Sequence, residues 1–397
     1  MKSEIRNPKP SEARRQREMG QSETPRARYL LLGGFLGAGK TTAVAALAQH
    51  LTAKGLRVGL ITNDQGSELV DTAMLRARGF ATEEIPGGCF CCRFNSLVDA
   101  ARCLDAATKP DVFIAEPVGS CTDLVATVTY PLRRIYGAEF VIAPLSVLVD
   151  PVRAERVLGL AEGKKFSDKV LYIYRKQLEE ADLIVVTKNE LLPADRLQSL
   201  LARLAQEFPH AEILDVSVRE NRGLAEWFTR LETGEQRTRA TMEVDYALYA
   251  EGEALLGWLN ATVQLASADG FDSDSVLTQL ARDIQTRLAG SEIAHLKMTL
   301  SPDGGLGDIA VINLVRSDFV PELSLRLEAP VTAGQLILNC RAEADPDLIR
   351  EAVRAAVAAL PPHFPGLTAQ LEHLESFRPG KPQPTHRDVA LRGAPML

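Results

Sequence analysis

No apolar run in this 397-residue chain reaches the roughly 18 residues that a membrane-spanning helix needs, so no membrane partner is expected. Positive charge is not in surplus: 45 Lys and Arg stand against 52 Asp and Glu, a net charge of −7. Bulk nucleic-acid binding requires concentrated positive charge, so no nucleic-acid partner is expected either. The start of the chain lacks the apolar core of a secretion signal. Residues 1–27 are polar with scattered Arg and Lys, which reads as a disordered tail, with a basic docking arm as the lesser reading. A cytoplasmic location follows as an expectation. Histidine is scarce, six in all, and no run of them could store metal. His363, His373 and His386 fall near the end without chelating spacing, and solvated or packed roles are expected for each. In a reduced setting the six cysteines point to metal binding or burial rather than disulfides.

What is present is ordinary in bulk and unusual in detail. Hydrophobic residues make up 46% and charged residues 24%, as in a soluble globular protein, and the length calls for two domains. From residue 29 to about 231, short apolar runs alternate with amphipathic stretches. Strands are expected at 29–32, 57–62, 81–85, 112–115, 140–149, 183–187 and 212–216, with helices at 42–54, 96–107, 167–180 and 194–207. Such alternation predicts an α/β fold, a mainly parallel sheet flanked by helices. Residues 232–242 are polar and read as a linker. Beyond them, strand patterns at 261–266, 295–300, 309–315, 323–327 and 335–340 join helical patterns at 275–288 and 346–360, predicting a smaller C-terminal α+β domain. The expected division is a tail at 1–27, the α/β domain at 28–232, the α+β domain at 243–360, and an extended Pro-, Arg- and His-rich segment at 361–397.

The first apolar run leads into Gly34-Phe35-Leu36-Gly37-Ala38-Gly39-Lys40-Thr41. Glycines here let backbone N–H groups turn inward as an anion nest at a helix N-terminus. In a P-loop of this type Gly34, Gly37, Ala38, Gly39 and Thr42 shape the cradle, Lys40 reaches the β- and γ-phosphates, and the Thr41 hydroxyl coordinates Mg²⁺. Glu116, ending the strand at 112–115, is a second Mg²⁺ candidate, and Gly119 could offer its N–H to the γ-phosphate. Lys40 and Glu116 are thus the candidate catalytic residues. A base-reading element follows the strand at 183–187 as Thr187-Lys188-Asn189-Glu190. GTPases usually place Asn-Lys-x-Asp there; Thr187 replaces the Asn and Glu190 the Asp, and the alternative is a plain polar loop. Ser217, in Val216-Ser217-Val218, is a further candidate for the base pocket.

Gly87-Gly88-Cys89-Phe90-Cys91-Cys92 sets three thiols within four residues. Thiolates suit Zn²⁺ and similar soft metals. In extended backbone Cys89 and Cys91 point the same way and Cys92 points elsewhere. Donors completing a tetrahedral site are expected from the loop after the second strand, with Asp64 the named candidate. The isolated Cys103, Cys121 and Cys340 read as packing residues. In a parallel sheet the loops leaving the carboxyl ends of strands share one rim, so the P-loop, the Asp64 loop, the cysteine loop, the Glu116 loop and the Lys188 loop should converge.

On these residues the chain resembles the CobW/HypB/UreG class of P-loop GTPases that service metal centres. The resemblance rests on residues 33–42, Gly88-Cys89-Phe90-Cys91-Cys92, Glu116 with Gly119, and the Lys188 motif. Cys-x-Cys-Cys is particular to the CobW-like branch, and within it the chain is most similar to nitrile hydratase activator or cobalamin-biosynthesis-type proteins. The likeness covers residues 29–231; the C-terminal part is similar in layout only. It implies a GTP-dependent metallochaperone or metal insertase using GTP, Mg²⁺ and Zn²⁺ or Co²⁺. A client apo-metalloprotein is the implied partner, and a homodimer is allowed. By position, Cys89, Cys91 and Cys92 would bind the transition metal, and Lys40, Thr41 and Glu116 would serve phosphate and Mg²⁺. Glu190 departs from the family's Asp, and the family's histidine-rich run is missing. No arginine finger stands out, so slow intrinsic hydrolysis is expected unless a client or dimer partner supplies one. Two other functions remain open at this point: a nucleotide-dependent interaction switch without metal cargo, and an ATP-using phosphotransferase.

Overall fold

The computed structural model describes residues 26–63, 70–305 and 307–389. Asp64 and most of the 1–27 segment therefore lie outside the described residues. The first sheet has eight strands: β1 (Ala27–Gly34), β2 (Val58–Asn63), β3 (Ala81–Ile85), β4 (Val112–Glu116), β5 (Phe140–Ile142), β6 (Ser146–Val149), β7 (Leu183–Val186) and β8 (Glu212–Asp215). Their order is β3-β2-β4-β1-β6-β7-β8, with β5 pairing the start of β1, and every pairing is parallel. Central strands of such a sheet are covered by helices on both faces, and β1, β4, β6 and β7 accordingly carry continuous apolar stretches at 29–32, 112–115, 147–149 and 183–186. The expected single strand at 140–149 is two strands, because Pro144 interrupts the ladder between them.

The second sheet is antiparallel, with β9 (Leu256–Phe271), β10 (Glu292–Pro302), β11 (Ala310–Leu314), β12 (Glu322–Leu325), β13 (Val331–Glu343) and β14 (Leu367–Phe377) in the order β12-β11-β10-β13-β9-β14. Helices Ser273–Arg287 and Pro346–His363 cover one face through Leu277, Leu280, Ile284, Ile349, Val353 and Leu360. Asp272 and Asp345 cap these helices by accepting from Ser275 N and Asp347 N.

Two expected boundaries move. Helix Tyr246–Leu255 packs on helix Asp168–Glu180, and Tyr249 joins the first core, so 243–255 belongs with the parallel sheet. The segment expected to be extended from 361 instead finishes a helix and then forms β14, the edge partner of β9. Leu256, Trp258 and Ala294 of the second sheet sit in the first core, so the two sheets are fused through buried apolar surface. Among the described residues no helix is long and apolar enough to cross a membrane.

Candidate nucleotide and metal site

The P-loop leaves β1 and opens the helix Lys40–Ala53. Thr41 Oγ1 lies 2.7 Å from Asp71 Oδ1 and 3.0 Å from Glu116 Oε1, so three hard oxygen donors meet where Mg²⁺ is expected. Burial, with Asp71 beside it, pushes the Glu116 carboxyl up to about 7 against the pull of Lys40 and Lys297. Glu116 Oε2 is buried with no hydrogen-bond partner among the described residues. An orphaned carboxylate oxygen in an oxygen cluster is what a hard divalent cation would satisfy, so the residues present fit Mg²⁺. Lys40 folds back, its Nζ donating to Gly34 O at 2.8 Å. Burial lowers its pKa, with Glu116 the main opposing influence.

Around the P-loop lies a cavity of about 570 Å³, lined by Gly37, Gly39, Lys40, Thr41, Thr42 and Gly119, with Thr187, Lys188 and Glu190 on the loop after β7. Thr187 Oγ1 donates to Ala38 O at 2.8 Å, so a shorter hydroxyl still ties that loop to the P-loop. Lys188 Nζ lies 2.8 Å from Gly37 O and 3.0 Å from Asp150 Oδ2. Burial raises the Asp150 pKa, but Lys188, Arg316 and Arg153 outweigh it and hold the carboxyl at about 2. Glu190 Oε2 is buried without a hydrogen-bond partner among the described residues. Gly34 and Ser217 do not line the cavity. Ser217 accepts from Glu220 N to cap its own turn, and Val218 and Arg219 form the wall instead.

The second sheet supplies residues that no motif announced. Lys297 Nζ of β10 lies 2.6 Å from Asp71 Oδ1 and 3.3 Å from Thr41 Oγ1. Its charge offsets the burial penalty on Asp71 and holds that carboxyl below its usual range. His295, on the same face of β10, lines the cavity with Nε2 unpartnered among the described residues, and burial drives its pKa well down. Arg316 Nη1 reaches Asp150 Oδ1 at 2.9 Å. Arg153 ties the P-loop carbonyl of Leu36 to the carbonyl of Val315. A Cβ on Gly37 would stand 3.0 Å from Ala294 O, so only glycine lets the P-loop lie this close to the second sheet. The available signal was two polar residues, His295 and Lys297, alternating with apolar Ala294, Leu296 and Met298; charge in a buried strand is uncommon without a partner.

The cysteines follow β3. Cys92 N and Arg93 N both donate to Cys89 O, so the backbone turns instead of extending. That overturns the expectation that Cys92 points elsewhere: the Sγ atoms lie 2.8 Å apart for Cys89–Cys91, 3.0 Å for Cys89–Cys92 and 3.7 Å for Cys91–Cys92. All three lie within 4.8 Å of one another. Asn63, at the end of β2, donates to Ile85 O and Gly88 O and pins this loop beside the cavity it also lines. One of the cysteines read as packing residues is not: Cys103 is exposed, while Cys121 is buried in the first core. Cys340 is buried in the second core, as expected.

The segment after β14 returns across the first sheet's rim. Thr385 N donates to Cys91 O at 2.8 Å, Gln383 N to Cys92 Sγ at 3.2 Å, and Asp388 N to Ala126 O at 2.8 Å. His386 sits edge-on to Phe94, and Arg387 Nε lies 2.7 Å from Asp123 Oδ2. The last segment is thus a strap over the cysteine loop.

The model of the CobW/HypB/UreG nucleotide-binding domain matches residues 28–215. The chain is 31% identical over 191 residues to the zinc chaperone CobW of a Sinorhizobium species, covering 43% of this chain and 53% of that protein. It is 29% identical over 188 residues to the zinc chaperone YjiA of Escherichia coli, covering 45% and 55%. The chain spans about half the length of the curated relatives it matches. Similar solved structures include HypB from Helicobacter pylori in complex with nickel, with TM-score 0.39, 18% identity, and 57% of this chain and 97% of that one covered. Another is the Zn(II)-bound YjiA GTPase from E. coli, with TM-score 0.34, 17% identity, and 84% and 99% covered. Residues 28–215, with their parallel sheet, glycine-rich loop and Cys-x-Cys-Cys run, are thus similar to the nucleotide-binding domain of the CobW/HypB/UreG family.

Proposed function

We propose that this chain binds GTP with Mg²⁺, hydrolyses it slowly, and delivers Zn²⁺ or Co²⁺ to a client apo-metalloprotein. The observation that carries the reading is the convergence of Cys89, Cys91 and Cys92 on the rim that also holds Thr41, Asp71 and Glu116. The similarity to zinc chaperones supports the same cargo.

In the mechanism Lys40 leaves Gly34 O for the β- and γ-phosphates, exchanging one carbonyl for two anionic acceptors. Mg²⁺, when bound, neutralises charge on the phosphate oxygens; Thr41, Asp71 and Glu116 would hold it. Lys297 supplies in cis a cation that the sequence left to a partner. Thr187 and Lys188 hold the base-reading loop against the P-loop, and Glu190 accepts from the guanine edge. Gly119 packs so tightly on Leu36 that a Cβ there would fall 2.6 Å from its Cδ2, so the Glu116–Gly119 turn moves with the P-loop.

The test pairs calorimetry with a metal competition assay. Wild-type protein should bind GTP more tightly than ATP and hold Zn²⁺ or Co²⁺, and Cys91→Ala should lose the metal while keeping GTP. Tighter ATP binding would overturn the GTPase reading, and unchanged metal affinity in Cys91→Ala would overturn the cargo reading.

A further inference from the structure

The strap after β14 is anchored at both ends and meets the cysteine loop in between. At its start Arg378 Nη2 lies 2.8 Å from Asp345 Oδ2, and Phe377 packs on Trp258 with ring centroids 6.1 Å apart. At its far end Asp388 N donates to Ala126 O at 2.8 Å, and Asp388 Oδ2 lies 2.7 Å from Arg134 Nε. Between these anchors Gln383 N donates to Cys92 Sγ at 3.2 Å, Thr385 N to Cys91 O at 2.8 Å, and Thr385 Oγ1 to Cys92 O at 3.1 Å. Cys89 and Cys91 are buried, whereas Cys92 is half-buried. The strap therefore bonds the one sulfur of the triad that lies toward solvent.

Most of these contacts are exposed hydrogen bonds of modest strength. One is different. Arg387 Nε lies 2.7 Å from Oδ2 of Asp123, a carboxylate only 1% exposed, and Arg387 Nη2 donates to Met242 O at 3.0 Å. A charge-assisted bond onto a buried carboxylate outweighs the neutral contacts around it, so the strap has a single strong fastening. Asp123 also accepts from Tyr246 Oη at 2.7 Å, so it keeps a partner when Arg387 leaves. Pro379, Pro382 and Pro384 stiffen the segment and reduce the entropy lost when it lies down. Resting on the metal-carrying reading above, we propose that residues 383–388 are a gate on the cysteine site. The strap lifts before Zn²⁺ or Co²⁺ enters or leaves, and the Arg387–Asp123 pair is its latch. A client that takes the metal from Cys92 must first displace the strap. The gate closes over empty and loaded thiols alike, because its bonds go to carbonyls and one sulfur of the loop and not to the cargo. Loosening the latch therefore speeds uptake and release together and leaves the affinity where it was.

The experiment is stopped-flow Zn²⁺ exchange on the full chain under reducing conditions. Release is followed into an excess of a chromogenic chelator, uptake by mixing the empty protein with Zn²⁺, and affinity by competition at equilibrium. Arg387→Ala should speed both release and uptake about tenfold, the factor expected from loss of one charged hydrogen bond, with affinity unchanged. Arg387→Lys should recover part of the wild-type rates. Arg203→Ala, which breaks an exposed ion pair with Glu207 elsewhere, should match wild type. If Arg387→Ala does not fold, Thr385→Ala removes only an exposed hydroxyl contact and should speed both rates about threefold. Wild-type rates in a folded variant would overturn the gate and leave the metal-carrying reading intact. Faster release with unchanged uptake and weaker affinity would also overturn it, since the strap would then support the bound metal without controlling access. Failure of wild type itself to bind Zn²⁺ or Co²⁺ would overturn both.

Discussion

The parallel sheet presents its functional groups on loops, whereas the antiparallel sheet presents its own from mid-strand. Lys40, Cys89 and Lys188 follow strand ends and Glu116 closes β4, where backbone is free to turn and sequence motifs are contiguous. Lys297 and His295 instead project from β10, held rigid by β11 and β13 on either side. One sheet gives the cavity its loop-borne lining and the other gives it a wall of paired strands. The difference teaches that a nucleotide site can be named from one region while its electrostatics are completed by another.

The largest test of that comparison removes the wall's charge. Lys297→Met should lower the GTP hydrolysis rate about 100-fold, in the range expected when one preorganised donor is lost. An unchanged rate in a single-turnover assay would reduce the second sheet to a roof. Next in size is the base-reading loop. Glu190→Ala should weaken GTP binding about 30-fold and leave ATP binding unchanged, as charged hydrogen bonds worth about 2 kcal/mol are lost. Equal weakening of both nucleotides would mean that the loop shapes the cavity without reading the base.

The smallest effect concerns the buried acids beneath the loops. Burial pushes Glu180 up to about 8, although it accepts from Val125 N and Thr122 Oγ1. A folded pKa above the unfolded value means that the native state binds more protons in between. Its contribution to stability is complete below about pH 4.5 and is lost as pH rises through 8. The melting temperature should fall by about 4 °C between pH 6 and pH 9, and Glu180→Gln should flatten that slope. A Glu180→Gln variant with the wild-type slope would place the proton linkage elsewhere.

Legibility in the sequence follows the same division. The P-loop, the Cys-x-Cys-Cys run and Glu116 are local patterns, and strand–helix alternation exposes a parallel sheet directly. Asp71 was harder to see, since it is one acid among several after β2 and gains meaning only when Thr41 comes within 2.7 Å. Cys103 was misread as a packing residue because isolation along the chain says nothing about burial. The strap was read as an extended tail because Pro382 and Pro384 hide a segment whose hydrogen bonds go to the cysteine loop instead of to a sheet. Helix Tyr246–Leu255 was assigned across the linker because its apolar residues fit either neighbour; packing on helix Asp168–Glu180 decides the matter.

On this reading nucleotide state and metal share one rim and one coupling. The direct measurement is Zn²⁺ affinity of the full chain saturated with Mg²⁺ and either GDP or a non-hydrolysable GTP analogue. Coupling between sites of this kind is worth about 1–3 kcal/mol, so the two affinities should differ by at least about fivefold. Equal affinities in the two nucleotide states would contradict the claim.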